Sequence, residues 1–229
     1  VWANHVLLGG AGGFKESGTL GNIGSENDTG ATGIGDVDGD GYGDLVIGSS
    51  SDTSKVTVLY GSADGPSSGR VQTFDQSLPG FYGAQEEDDH VGSCVAVADV
   101  TGDGRAEIAL GIDGEDFGGL TDAGSFALLH GTASGVTGDG SQVMQQDTAG
   151  VPGVAENNDK FGAACALLDV NGDGHRDLAV SSAAENASTG AVWNLSGDAK
   201  GLTTKGATAF APGDVGGPVT KAEFGSFLR

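Results

Sequence analysis

Three near-identical segments constrain this chain more than any other feature. DVDGDGYGDLVIG begins at Asp36, DVTGDGRAEIALG at Asp99 and DVNGDGHRDLAVS at Asp169, and they align without gaps at spacings of 63 and 70 residues. A fixed period of this kind marks an architecture in which one supersecondary unit is stacked several times. A short apolar run precedes each segment (ATGIGDV, SCVAVADV, AACALLDV) and another closes it (DLVIG, EIALG, DLAVS). Each such pair reads as two strands joined by a tight acidic turn. A third run ends at Gly61, Gly131 and Gly197 (KVTVLYG, SFALLHG, AVWNLSG), and a weaker fourth begins at Arg70, Ser141 and Lys205. Four strands per repeat and no convincing helix predict an all-β chain, a β-propeller built of four-stranded antiparallel blades. The period is too long for a solenoid rung, and a sandwich has no need of one turn three times over.

The chain is expected to form a single propeller region over 1–229. Its approximate units are a partial blade over 1–27, whole blades over 28–90, 91–160 and 161–223, and the start of a further blade over 224–229. NHVLLGG, ending at Gly10, has the look of a third strand without a first or second before it. At the other end Phe224-Gly225 repeats Phe161-Gly162, which stands just ahead of the third turn. The chain opens on Val1 with no basic-then-apolar leader, so it is expected to be processed, cut or part of something larger.

Each acidic turn sets oxygen ligands at alternate positions. The first offers Asp36, Asp38, Asp40 and Asp44 with the Tyr42 carbonyl; the second, Asp99, Thr101, Asp103 and Glu107 with the Arg105 carbonyl; the third, Asp169, Asn171, Asp173 and Asp177 with the His175 carbonyl. Hard oxygen donors in this number suit Ca²⁺, which accepts six to eight at flexible geometry, whereas Mg²⁺ demands a stricter octahedron. No Cys or His fills a side-chain ligand slot, which argues against zinc and copper. Gly41, Gly104 and Gly174 stand where the chain must turn sharply. The turns are not EF-hands. That loop needs a bidentate Glu at its twelfth position, and here those positions are Ile47, Leu110 and Val180. About three Ca²⁺ ions are expected, one per complete repeat, in a structural rather than a switching role, since no helix pair is present to move.

Composition narrows the function. Glycine makes up 44 of 229 residues, which fits many tight turns, and 37% of residues are apolar, enough for a packed core. The net charge of −22, from 32 acidic and 10 basic residues, disfavours nucleic acid and anionic membranes as partners. No run is long enough to insert in a bilayer as a helix. Cys94 and Cys165, both in strand-like runs, are expected to be small buried apolar residues rather than a bridge or a nucleophile.

The segments KFGAACALLDVNGDGHRDLAVS and HVGSCVAVADVTGDGRAEIALG, with EFGSFLR as the start of another, resemble FG-GAP repeats. That family includes the propeller of integrin α subunits and many secreted bacterial proteins. The resemblance spans nearly the whole chain. It implies a propeller, commonly of seven blades, with calcium in the turn between the first two strands of a blade, and so a calcium role for the ligand positions named above. The chain departs from the pattern in three places. Phe-Gly is missing before Asp36, Val91-Gly92 replaces it in the second repeat, and Ser181-Ser182 stands where Gly-Ala-Pro is frequent. Three whole blades cannot close a ring of seven. The chain is then expected to be a fragment of a longer polypeptide or to be completed by another chain, with a compact four-blade ring as a further possibility.

Other features are read more plainly. Gly9-Gly10-Ala11-Gly12-Gly13 lacks a following helix and is a turn rather than a phosphate loop. Glu86-Glu87-Asp88-Asp89-His90 reads as a solvated loop between blades, with a fourth cation site or a basic-partner contact as the sharper alternative. Trp2 and Trp193 read as core, and sequons stand at Asn27, Asn186 and Asn194. No catalytic constellation is legible. The expected function is a calcium-stabilised, secreted or extracellular binding, adhesion or scaffolding module for a protein or glycan ligand. The alternatives are a propeller portion, catalytic or not, of a larger secreted hydrolase or lyase, and one part of a ring that another chain completes.

Overall fold

A computed structural model describes residues 5–19, 31–49, 55–66 and 69–228. Trp2, Asn27 and much of the expected partial blade over 1–27 lie outside them. The described chain is all β, in three four-stranded antiparallel sheets and one hairpin. The hairpin pairs β1 (His5–Gly10) with β2 (Gly13–Thr19). The first blade is β3 (Thr32–Gly35), β4 (Asp44–Ile47), β5 (Val56–Leu59) and β6 (Val71–Phe74). The second is β7 (Val91–Ala98), β8 (Glu107–Ile112), β9 (Ser125–Thr132) and β10 (Gly135–Met144). The third is β11 (Ala164–Leu168), β12 (Asp177–Ser182), β13 (Ala191–Asp198) and β14 (Gly201–Phe210). Within each blade the strands neighbour one another in chain order. This is the blade meander of a β-propeller, in an arc that does not close. The short turn Glu185–Ser188 is no ordinary helix, because Asn186 and Ala187 are left-handed, with φ of 51° and 58°.

Period-two alternation divides each central blade between two cores. In β8, Ile108, Leu110 and Ile112 face blade 1, where they meet Val46, Val56, Val58 and Phe74. Ala109 between them faces blade 3. In β9, Ala127 and Leu129 face one way and Phe126 and Leu128 the other. β8 is buried along its whole length, which explains its near-continuous apolar reading. Trp193 lies in the core between blades 2 and 3, edge-on to Phe161 at 5.0 Å between ring centroids. The glycine after Phe161 is needed for close approach: Gly162 has φ of +101°, and a Cβ there would lie 2.2 Å from the Ser125 carbonyl oxygen.

Fourth strands are tied by side-chain amides. Gln72 on β6 donates to the Val136 carbonyl and accepts from the Val136 N–H, both at 2.9 Å. Gln142 on β10 does the same to Leu202, at 2.9 and 2.7 Å. A polar residue thus replaces sheet pairing where one blade's edge meets the next.

The two cysteines correct the sequence expectation. Cys94 on β7 and Cys165 on β11 form a disulfide, with Cα atoms 5.8 Å apart. First strands of successive blades pack against one another, β3 on β7 and β7 on β11, so similar positions in neighbouring repeats become neighbours in space although 71 residues separate them. Closing a loop of that length removes about 4 kcal/mol of freedom from the unfolded chain in the chain-entropy picture. The bridge lines a cavity of about 430 Å³ between the first-strand ends, with Ser93, Ala163 and Phe227 in its wall.

Candidate metal centres

The acidic turns connect first to second strands: β3 to β4, β7 to β8 and β11 to β12. All three follow one hydrogen-bonding plan. The first-position aspartate gathers the backbone of the loop. Asp36 accepts from the N–H groups of Gly39 (2.8 Å), Asp40 (3.1 Å) and Gly41 (2.8 Å). Asp99 accepts from Gly102 (2.7 Å) and Gly104 (2.9 Å). Asp169 accepts from Gly172 (2.7 Å), Asp173 (3.2 Å) and Gly174 (3.1 Å). The fifth-position aspartate accepts from the seventh-position N–H in each case, 2.9 Å at Tyr42, 2.8 Å at Arg105 and 2.9 Å at His175. Both glycines of each turn are left-handed; Gly39 and Gly41, for instance, have φ of +74° and +91°. That backbone costs an L-residue energy and glycine none.

The ninth-position carboxylate sits at the base, where the second strand begins, and is buried. Asp44 accepts from the N–H of Val37 (2.8 Å) and of Gly61 on the far side (2.7 Å). Asp177 accepts likewise from Val170 and Gly197, both at 3.0 Å. Glu107 accepts from Val100 (2.8 Å) and Thr101 (3.1 Å), and its longer arm meets the His130 ring at 3.3 Å instead of a glycine N–H. That carboxylate holds the His130 imidazole above its ordinary value. Burial pushes the Asp44 carboxyl up against the lowering effect of its two N–H donors.

The donor set fits a hard divalent ion. Carboxylate oxygens of Asp36, Asp38 and Asp40 lie within 4.8 Å of one another. In the other turns neutral oxygen donors take the third position, and both lean toward the ninth-position acid: Thr101 Oγ1 donates to Glu107 at 3.5 Å and Asn171 Nδ2 to Asp177 at 3.4 Å.

Several participants were not legible in the sequence. Arg70, just before β6, donates to Asp38 and lies over the Tyr60 ring, 4.1 Å from its centroid. The seventh-position side chains link one turn to the one before. His175, named from sequence only for its carbonyl, places Nδ1 2.9 Å from the Val100 carbonyl oxygen of the second turn. Arg105 packs over Gly39 of the first, where a Cβ would lie 3.1 Å from its Cγ. The loop read as solvated is so only in part, since Glu86, Glu87 and Asp88 are exposed but Asp89 is buried.

Four-stranded blades in series, each with an acidic turn between its first and second strands, define a repeat protein of the β-propeller class. Residues 161–195 match the FG-GAP repeat, and residues 36–110 match the FG-GAP-like repeat. The repeats over those residues are thus of the FG-GAP type. No curated protein matches it.

Proposed function

We propose that this chain is a calcium-stabilised extracellular binding module, in which the turns hold the ions and the propeller surface takes a protein or glycan partner. The observation that carries the reading is the recurrence of one oxygen-lined turn at the same place in three consecutive blades. The ligands are the positions 36–44, 99–107 and 169–177 named above, at about one ion per turn. An ion bound there offsets the mutual repulsion of the carboxylates and fixes the first strand to the second. The disulfide supports an oxidising, extracellular compartment, where such bonds persist.

Binding to the folded state alone adds about 1.4 kcal/mol per site at ten times Kd. Calcium titrated into chelator-treated protein is expected to raise the thermal midpoint in a saturable way, with magnesium far weaker. An unchanged midpoint would remove the calcium half of the reading. For the partner half, a glycan and protein binding screen is expected to give a ligand without turnover, and hydrolase or lyase activity of the purified chain would overturn it.

A chain-completed ring is the second reading. The start of a further blade docks on blade 3 as Phe161 docks on blade 2: the Phe224 N–H donates to Thr189 at 3.0 Å, as Phe161 does to Ala123. A solution mass well above 22.5 kDa would favour it.

A further inference from the structure

A second motif repeats away from the acidic turns. Gln76, Glu86, Asp89 and Glu115 recur 70 residues later as Gln146, Glu156, Asp159 and Glu185. The first set lies at the joint of blades 1 and 2, the second at the joint of blades 2 and 3. In each, the glutamine follows a fourth strand, the aspartate precedes the next first strand, and the last glutamate follows a second strand.

The geometry repeats with the sequence. Gln76 Nε2 donates to Glu115 Oε2 at 3.0 Å, and Gln146 Nε2 to Glu185 Oε2 at 2.8 Å. Asp89 accepts from the Glu86 N–H and Asp159 from the Glu156 N–H, both at 2.7 Å. The glutamines are 3% and 1% exposed and the aspartates 2% and 3%. Both glutamine amide oxygens are buried without a hydrogen-bond partner, on amides whose nitrogens already touch the glutamates. Native interiors seldom leave such an acceptor unmet, so a repeated instance points to a missing electropositive partner.

We propose that the two joints are divalent-cation sites of a second kind, in which Gln76 with Glu115 and Asp89, and Gln146 with Glu185 and Asp159, supply oxygen ligands to Ca²⁺ between consecutive blades. Two carboxylates balance the ion's charge, and the amide oxygen is a hard neutral donor of the type calcium accepts. Such an ion ties one blade to the next, whereas an ion in a turn ties strands of one blade. The inference stands apart from the turn sites.

Native mass spectrometry of the full chain in Ca²⁺ tests it. A background with Asp36, Asp99 and Asp169 each changed to Asn weakens the turns and leaves the joints, so failure of either class of site is seen separately. In that background two ions are expected to remain, and Glu115→Gln with Glu185→Gln is expected to remove both. Gln146→Glu adds a carboxylate in place of the amide and is expected to tighten one joint about tenfold. An ion count indifferent to the Glu→Gln pair would overturn the proposal. So would a Gln146→Glu protein that is destabilised in saturating calcium as much as in chelator, because the joint would then hold protons only.

Discussion

The turn at Asp36 and the turn at Asp99 share a backbone path and differ in how they balance charge. The first carries four aspartates, but Arg70 reaches in to neutralise Asp38. The second carries Asp99, Asp103 and Glu107, with Thr101 at the third position. Counting Arg70 in the first turn and Arg105, whose Nη1 lies 3.6 Å from Asp103, in the second, the nets are about three and about two negative charges. At the base, Asp44 is short and takes the N–H of Gly61, while Glu107 is one methylene longer and meets His130. The two turns therefore share a backbone cradle and let charge and individual side chains vary around it.

The largest effect is expected from the base. Asp44→Ala leaves the Val37 and Gly61 N–H groups without their acceptor, and should cost about 3 kcal/mol in denaturant unfolding, since a hydrogen bond to a charged group is worth about 1.5–3 kcal/mol. Glu107→Ala should cost less, because His130 keeps the Gly140 carbonyl. Equal costs would break the comparison. Next, Arg70→Ala restores a fourth unbalanced charge to the first turn alone. Calcium affinity there should rise several-fold by calorimetry while the second turn is unchanged; a fall would mean that Arg70 positions Asp38 rather than competes for it.

The joints give a pH dependence of opposite kind from that of an ordinary ion-paired acid. Glu115 and Glu185 stand near 7 in the folded chain against 4.5 in an open one. A raised acid favours the folded state while protonated. Its contribution is complete below about pH 4.5 and is lost as pH rises through about 7. In chelator the thermal midpoint should fall between about pH 5 and pH 8, and Glu115→Gln with Glu185→Gln should flatten that fall. A midpoint that rises over this range would contradict the assignment. The smallest effect is Thr101→Asp, which makes the second turn resemble the first without its arginine. It should lower stability in chelator by about 1 kcal/mol, since a half-buried position loses the hydroxyl that donates to Glu107, and raise calcium affinity.

What was legible in the sequence was local. Turn carboxylates, glycines and the strands on either side lie within a dozen residues, so their spacing alone carried the blade pattern. Arg70 was hidden because Asp38 is 32 residues away in sequence. The disulfide was hidden because two cysteines in separate repeats give no hint that β7 and β11 run side by side. Asp89 was hidden inside an acidic run whose other members are exposed. Even so, a 70-residue offset joins Gln76 to Gln146 and Glu115 to Glu185 as it joins the second turn to the third. That signal could have been found by aligning polar residues as well as the acidic loops.

A crystal grown in calcium, read by anomalous difference density, tests the central claim most directly. A peak ringed by the first-, third- and fifth-position oxygens and the seventh-position carbonyl is expected in each of the three turns. Water alone in those turns, in a crystal saturated with the ion, would contradict it.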